Sequence, residues 1–325
     1  MRLFDPVYGE QEITDSVALD VMATKEMQRL KGINQYGISN LLDHKYFTSR
    51  YEHCVGVYLL LRKLGASQEE QIAGLVHDIA HTAFSHVIDY VFYEDATQNV
   101  HERFHKQVIF NSDIPSILQR QGLDVERIVE EHNYGLLERD LPALCADRVD
   151  YFLRDSRVFG ISSTEEVKRW VGSLDTTEGE IVFTNIQSAL QVSGKFMEMC
   201  LNVWSGSLNV GAYAYMASIL REAVRREVIC EGDFFLTDTE LLGKLYGSGD
   251  SEIVRKLGLL SEKHIVEGTL EDHTFYTKGK ARYINPKIVT THGVFYATDV
   301  APALEQEFVN LRERFERGIY IKILE

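Results

Sequence analysis

The sequence predicts a mainly α-helical protein with a small α+β appendage at its C-terminal end, and three observations predict it. Residues 50–64 are apolar almost all round (Cys54, Val55, Val57, Leu59, Leu60 and Leu61 among them), which marks a buried helix. Helical spacing recurs at 101–110, 123–132, 140–158 and 186–229, and the 325 residues include only 5 prolines to interrupt it. After about residue 255 the pattern changes: TFYTKGKARYI, GVFYA and IYIKIL read as strands, with one helix at about 301–317 between the last two. The expected division is a helical body over residues 1–255 and an α+β subdomain over 256–325.

The elements follow in order. Residues 5–14 form a turn or short hairpin around Asp5, Pro6 and Gly9. LDVMATKEMQRLKGI then carries helical spacing at Leu19, Met22, Met27 and Leu30. Gly65 stops the buried helix that begins near residue 50, and Ser67 with Glu70 makes a capping box that starts the next. That helix runs through Ile72 and Leu75 into His77. EIVFT, residues 180–184, is half of a short hairpin.

Composition bounds the function. The formal charge of -15 argues against a broad footprint for duplex nucleic acid, because phosphate binding needs concentrated Lys and Arg. A local basic pocket remains compatible with it. Hydrophobic residues at 45% and charged residues at 26% describe a globular chain with a large core. Cys54, Cys145, Cys200 and Cys230 are far apart and form no C-x-x-C, so neither a zinc knuckle nor a disulfide framework is expected. The opening MRLFDPVYGEQE has no apolar leader core and no run of 18 apolar residues follows, so the expectation is a cytoplasmic protein without a membrane span.

Polar residues stand out inside the apolar stretch SRYEHCVGVYLLLRKLGASQEEQIAGLVHDIAHTAFSH, residues 49–86. His53 sits on a buried helix and needs a partner there, either a backbone carbonyl or a metal. His77 and Asp78 are adjacent, His81 lies one turn after His77, and His86 follows a segment that ends the helix. ADRVDYFLRDSRVFG, residues 146–160, places Asp147, Asp150, Tyr151 and Arg154 on one helix face. This face is either solvated, with Asp150 paired to Arg154, or a source of a further ligand, and spacing alone leaves both open. Mixed imidazole and carboxylate donors suit Mn, Fe, Co, Ni or Zn better than calcium.

The ordered set His53, His77-Asp78 and Asp147 resembles the HD-domain metal-dependent phosphohydrolase superfamily. Longer segments (DPVYGEQE, MQRLKGINQYG, SRYEHCVGV, HDIAHTAFSH and DRVDYFLRDS) are similar to its branch of deoxynucleoside triphosphate triphosphohydrolases, over roughly residues 4–160. The resemblance implies an HD-type helical core and a divalent metal (Mn, Fe, Mg, Co, Ni or Zn) on His53, His77, Asp78 and Asp147. It implies His101, supported by Asp89, as general acid, with His81 and His86 along the phosphate path. It implies substrate contacts from Arg50, Gln35, Tyr36, Arg148, Tyr151 and Asp155, with Arg148 where the family often has lysine. The implied reaction is metal-water attack on the α-phosphorus of a dNTP, giving deoxynucleoside and triphosphate. Nucleotide substrate and homo-oligomer are the implied partners, with AYAYMASIL at 212–220 either interface or core.

Departures from the family pattern narrow these expectations. Tyr36 replaces a smaller aliphatic residue near the sugar, and Ala23 and Lys31 replace residues that read an activating guanine nucleotide in regulated members. Around residues 193–210 the family supplies basic and aromatic groups to triphosphate and base; here Lys195 and Trp204 are the counterparts. Competing readings are a phosphomonoesterase or phosphodiesterase for another nucleotide, and a non-catalytic nucleotide sensor.

Overall fold

The computed structural model describes residues 1–92 and 100–324, with side chains over 1–91 and 104–324. An antiparallel hairpin of strands Arg2–Asp5 and Gly9–Glu12 opens the chain, as expected. Its turn is fixed by the Asp5 carboxylate, which accepts from the backbone N–H of Val7 (2.8 Å) and Tyr8 (3.0 Å), while Gly9 takes a left-handed φ of 74°. The helical stretch that follows is broken at Thr24, which caps a second segment, giving Ser16–Met22 and Lys25–Arg29.

The helix Arg50–Lys63 is the axis of the body. Ser49 and Glu52 close a complete capping box at its start, and Arg62 and Lys63 sit in its last turn, where cations are favourable. It packs against the helix Gln68–Val76, closely enough that a Cβ on Gly74 would stand 2.4 Å from Leu61. The capping box expected at Ser67 is half made. Ser67 Oγ accepts from Glu70 N–H, but the Glu70 carboxylate instead accepts from Leu136 N (2.7 Å) and Leu137 N (3.1 Å), tying this helix to the segment before the helix Ala146–Val158.

The stretch 186–229 is not one helix. Ile186–Met199 runs into a π-helical turn, Cys200–Trp204, and a second helix, Ser207–Arg225, starts after Gly206. Such turns widen the backbone and re-aim side chains. Residues 212–220 are core: Ala212, Met216, Ala217, Ile219 and Leu220 are fully buried within the chain, facing helices Val87–Phe92 and Ser251–Gly258.

The tail forms strands and a helix, Ala303–Glu316, but of the expected strand TFYTKGKARYI only Phe275–Thr277 pairs, residues 278–284 having no regular structure, and the boundary at 255 is crossed. A four-stranded sheet runs Leu174–Thr177, Glu180–Phe183, Lys287–Thr290, Gly293–Tyr296, with Val182 opposite Lys287 in the parallel pair. Body and tail therefore share hydrogen bonds of one sheet. A three-stranded sheet, Ile265–Glu267, Ile319–Ile323 and Phe275–Thr277, lies on the helix Ser207–Arg225; a Cβ on Gly211 would stand 2.8 Å from both Ile265 and Ile321. No described helix is long and apolar enough to cross a membrane.

Candidate metal centre and substrate cavity

Three elements converge on one point. His53 comes from the buried helix Arg50–Lys63, His77 and Asp78 follow the last turn of Gln68–Val76, and Asp147 lies in the first turn of Ala146–Val158. One donor atom each from His53, His77 and Asp147 falls within 4.8 Å of the others. His53 Nε2 is 2.9 Å from Asp147 Oδ1 and 3.2 Å from His77 Nε2, and His77 Nε2 is 3.4 Å from Asp147 Oδ1. Asp78 completes the group, 3.5 Å from His53 Nε2 and 3.7 Å from His77 Nε2. Both imidazoles are anchored at their rear nitrogen: His77 Nδ1 lies 2.8 Å from the Gly74 carbonyl and His53 Nδ1 2.8 Å from Asp150 Oδ2. With each Nδ1–H donated backwards, both Nε2 atoms face the centre. Two rigid imidazoles and two carboxylates fit a divalent transition ion.

The electrostatics agree. Burial works against charge on His77, yet Asp78 and Asp147 outweigh it and push its pKa up to about 10. Burial would raise Asp147, but His53 and His77 hold it well below the usual carboxylate range. Such concentrated, mutually dependent charge at a buried point is where a cation belongs.

Behind the centre lies a second layer. Asp150 also receives Arg154 Nε (2.7 Å) on Oδ2 and Tyr8 Oη (2.8 Å) on Oδ1. Arg154 Nη2 in turn donates to Asp5 Oδ2 at 2.7 Å. Both alternatives for Asp150 therefore hold in part: it pairs with Arg154, in the core rather than in solvent, and supports a ligand rather than being one of the converging donors. The D-x-x-D spacing of Asp147 and Asp150 carried that signal, since both lie on the helix face turned to His53.

In front lies a cavity of about 290 Å³. It opens onto His77, Asp78 and Asp147, and the structure brings Arg50, Gln35, Tyr36, His81, His86, Arg148, Tyr151 and Asp155 together in its lining. Arg50 is buried, its guanidinium on Asp78 and on Ser85 Oγ (3.0 Å). His81 Nε2 is 3.1 Å from Asp78 Oδ1, and the His81 and His86 rings meet edge to face at 4.9 Å. The loop carrying them turns sharply through Phe84 and Ser85, at φ of 61° and 50°. The buried Asp238 carboxylate stabilises this left-handed turn by accepting from Phe84 N (2.7 Å), and its other oxygen accepts from Asn34 N (2.8 Å).

Tyr36 donates to Thr48 Oγ1 at 2.8 Å, and Trp204 Nε1 donates to Asp155 Oδ2 at 2.6 Å. Burial pushes the Asp155 carboxyl up to about 7, against the Trp204 hydrogen bond. Arg148 reaches the cavity wall, where its Nη1 and Nη2 donate to the Ala143 carbonyl (2.7 Å), the Arg139 carbonyl (2.9 Å) and Glu138 (3.2 Å), while its buried Nε has no partner among the described residues. Lys195 is outside the lining. Its ammonium turns to the Ile161 carbonyl and towards Glu166, because the helix Ile186–Met199 presents that face to the loop after residue 160. His101 lies outside the described side chains. Asp89, expected to support it, is 3.0 Å from His86 Nδ1. Sequence reasoning missed Tyr213, Asn209, Glu131, Lys280 and Arg282 in the lining, although KGKAR in the tail is a visible basic run.

The HD domain family model matches residues 50–155. The chain is 37% identical over 328 residues to the uncharacterized protein YdhJ of Bacillus subtilis, covering 100% of this chain and 99% of that one. It is 33% identical to the metal-dependent phosphohydrolase cns2 of Cordyceps militaris (68% of this chain, 65% of the other). It is 24% identical to the human deoxynucleoside triphosphate triphosphohydrolase SAMHD1 (74% and 46%). Among solved structures, a hypothetical protein from Aquifex aeolicus superposes with a TM-score of 0.73 at 19% identity over 94% of this chain and 93% of the other. A phosphohydrolase from Bacteroides thetaiotaomicron superposes with 0.67 at 16% identity over 100% of both. At those identities the likeness is one of fold.

Proposed function

We propose that this chain is an HD-domain metal-dependent nucleotide phosphohydrolase, acting on deoxynucleoside triphosphates to give deoxynucleoside and triphosphate. The observation that carries the reading is the buried convergence of His53, His77 and Asp147, with Asp78 beside them, at the floor of a cavity walled by Arg50, His86 and Tyr151. His53, His77, Asp78 and Asp147 hold a divalent ion. When bound, it lowers the pKa of water and offsets negative charge on phosphate oxygens.

The chain's own residues do the rest. Arg50, fixed between Asp78 and Ser85, orients the attacked phosphate. His86, on Asp89, is placed to hold a proton for the nucleoside 5′ oxygen as the bond from phosphorus to that oxygen breaks. Burial, against the hydrogen bond with Asp89, holds its pKa below the ordinary imidazole value, and incoming phosphate charge acts in the opposite direction. His81 lies between His86 and Asp78, and His101, which the sequence resemblance implies as the general acid supported by Asp89, lies outside the described side chains. Gln35, Tyr36, Tyr151 and Asp155 form the sugar side of the cavity, and the Tyr36 ring, edge-on to Phe159, narrows it.

A phosphomonoesterase or phosphodiesterase is the second reading, favoured by the position of Lys195 away from the cavity. Incubation with each dNTP, NTP and nucleoside monophosphate in the presence of manganese, with chromatography of products, separates the two. Deoxynucleoside and triphosphate are expected. Phosphate from monophosphates would establish the second reading, and nucleotide binding without turnover of any of them would make the protein a sensor.

A further inference from the structure

A second set of donors shares Asp147 with the metal centre. One donor atom each from Glu138, Cys145 and Asp147 falls within 4.8 Å of the others, so the Asp147 carboxylate belongs both to the group with His53 and His77 and to this one. A carboxylate common to two donor sets suits a two-metal centre, whose ions stand about 3.5–4 Å apart. Here a side chain of the protein itself stands in the second set. Arg148 Nη1 donates to Cys145 Sγ (3.1 Å) and to the Ala143 carbonyl (2.7 Å), and Nη2 to Glu138 Oε1 (3.2 Å) and to the Arg139 carbonyl (2.9 Å). The Cys145 thiol is turned to the other Glu138 oxygen, Oε2, at 3.6 Å. A thiol, a carboxylate and two carbonyls therefore converge on one guanidinium, as they would around a metal ion.

The local fold builds this arrangement. Cys145 is the N-cap of the helix Ala146–Val158 and Arg148 its third residue, so the arginine leans back over the helix start towards the segment before it. That segment is held by the Ala146 amide, which donates to the Leu136 carbonyl (2.7 Å), and by Glu70 on the amides of Leu136 and Leu137. The helix dipole opposes a cation in the first turn, so helix preference gives no reason for an arginine there; its four acceptors do. Arg148 is only 7% exposed, and Glu131, Glu138 and Asp147 share the cavity wall with it.

We propose that the Arg148 guanidinium is a built-in substitute for a second metal ion, filling the position between Glu138, Cys145 and Asp147 and keeping the centre at one ion per chain. The proposal rests on the reading of His53, His77, Asp78 and Asp147 as the metal centre. It makes Arg148 a positioning residue, whose charge holds Glu138 and Asp147 together, rather than a direct contact to substrate. An arginine neither loses its charge nor exchanges with solvent, so the second positive charge is permanent and only the first depends on metal supply.

The test uses chelator-stripped wild type, R148M (which keeps the stem and removes the charge), R148K and R148M/C145S. Cobalt bound per chain is measured by equilibrium dialysis, and thiolate ligation by the sulfur-to-cobalt charge-transfer band in the near ultraviolet. Wild type and R148K are expected to bind one cobalt without the band. R148M is expected to bind two and to show the band, the Cys145 thiol releasing its proton to solvent as it ligates. In R148M/C145S the band disappears and the second cobalt binds at least ten-fold more weakly. Two ions on wild type, or one ion and no band on R148M, would overturn the assignment. Should R148M be unfolded without metal, it is refolded in cobalt, where recovery with the band is expected and a chain that cobalt does not rescue overturns the proposal. A wild type that binds no cobalt would sink the metal-centre reading instead, and the presence or absence of the band in R148M would still decide the role of Arg148.

Discussion

Asp150 Oδ2 lies 2.8 Å from Nδ1 of His53, on the side of the ring opposite Asp147, whose Oδ1 is 2.9 Å from Nε2. A carboxylate at Nδ1 holds the proton there and turns the other nitrogen, as a donor of electrons, towards the ion. Asp150 is itself held by Arg154 and Tyr8, and Arg154 by Asp5. The hairpin at residues 2–12 therefore reaches the centre through a continuous chain of buried charged groups. Asp150 and Arg154 are each fully or almost fully buried, so every member depends on the others for compensation.

Asp150→Asn keeps the shape and removes the charge. Manganese affinity of the metal-free protein, titrated by calorimetry, is expected to fall by about 10–100-fold, the usual effect of losing such a partner. Asp150→Ala goes further, leaving the Arg154 guanidinium uncompensated, and is expected to cost about 3–5 kcal/mol in urea unfolding. An Asn variant that binds manganese like wild type would show that Asp150 serves stability alone.

Gly56 should be intolerant of any side chain. A Cβ there would stand 1.9 Å from Arg154 Nη2 and 2.2 Å from Asp150 Oδ1, both held rigidly by their mutual bonds. Gly56→Ala is expected to lose at least about 1–3 kcal/mol of stability, as overpacked cores do, together with manganese affinity. Stability and affinity measured on one preparation decide it: unchanged values for both would mean that the Asp150 pair yields without consequence.

Much of this was legible in the sequence because periodicity and capping are local. The buried helix at 50–63, the hairpin around Asp5 and Gly9 and the convergence of His53, His77 and Asp147 all follow from patterns within a few turns or from a resemblance covering one stretch. What was not legible depends on distant chain segments meeting. Glu70 leaves its capping box for the amides of Leu136 and Leu137, 66 and 67 residues away. Val182 pairs with Lys287 across the expected domain boundary. Lys280 enters the cavity only because Cys200 and Ser205 hold its backbone, and Lys195 leaves it because the helix before the π-helical turn faces elsewhere.

Removal of the metal and of its ligands should have matching signatures. His53→Ala and Asp147→Ala each take away a converging donor and are expected to abolish manganese binding in calorimetry, with turnover lost alongside. Wild type stripped with a chelator should melt at a lower temperature and recover when manganese is returned. At a free concentration 100 times Kd the gain is about 2.7 kcal/mol. In His53→Ala the same addition should leave the melting temperature where it was. A variant that still gained stability from manganese would place the ion elsewhere.

Asp155 predicts a pH dependence near neutrality. Burial, aided by the charge of Asp150 and opposed by the Trp204 hydrogen bond, pushes its carboxyl up to about 7. The unfolded chain ionises it near the ordinary value of about 4, so between about 4 and 7 the folded protein binds the extra proton. Its contribution to stability is therefore full below about 4 and is lost as pH rises through 7, the reverse of a salt-bridged carboxylate. In the cavity the same proton matters to substrate. Below pH 7 a neutral carboxyl can donate to a sugar hydroxyl, whereas above it a carboxylate repels phosphate. KM for a dNTP should accordingly rise several-fold between pH 6 and 8 in wild type, and Asp155→Asn, which stays neutral, should flatten that rise. Profiles of KM against pH that coincide for the two proteins would remove Asp155 from substrate binding.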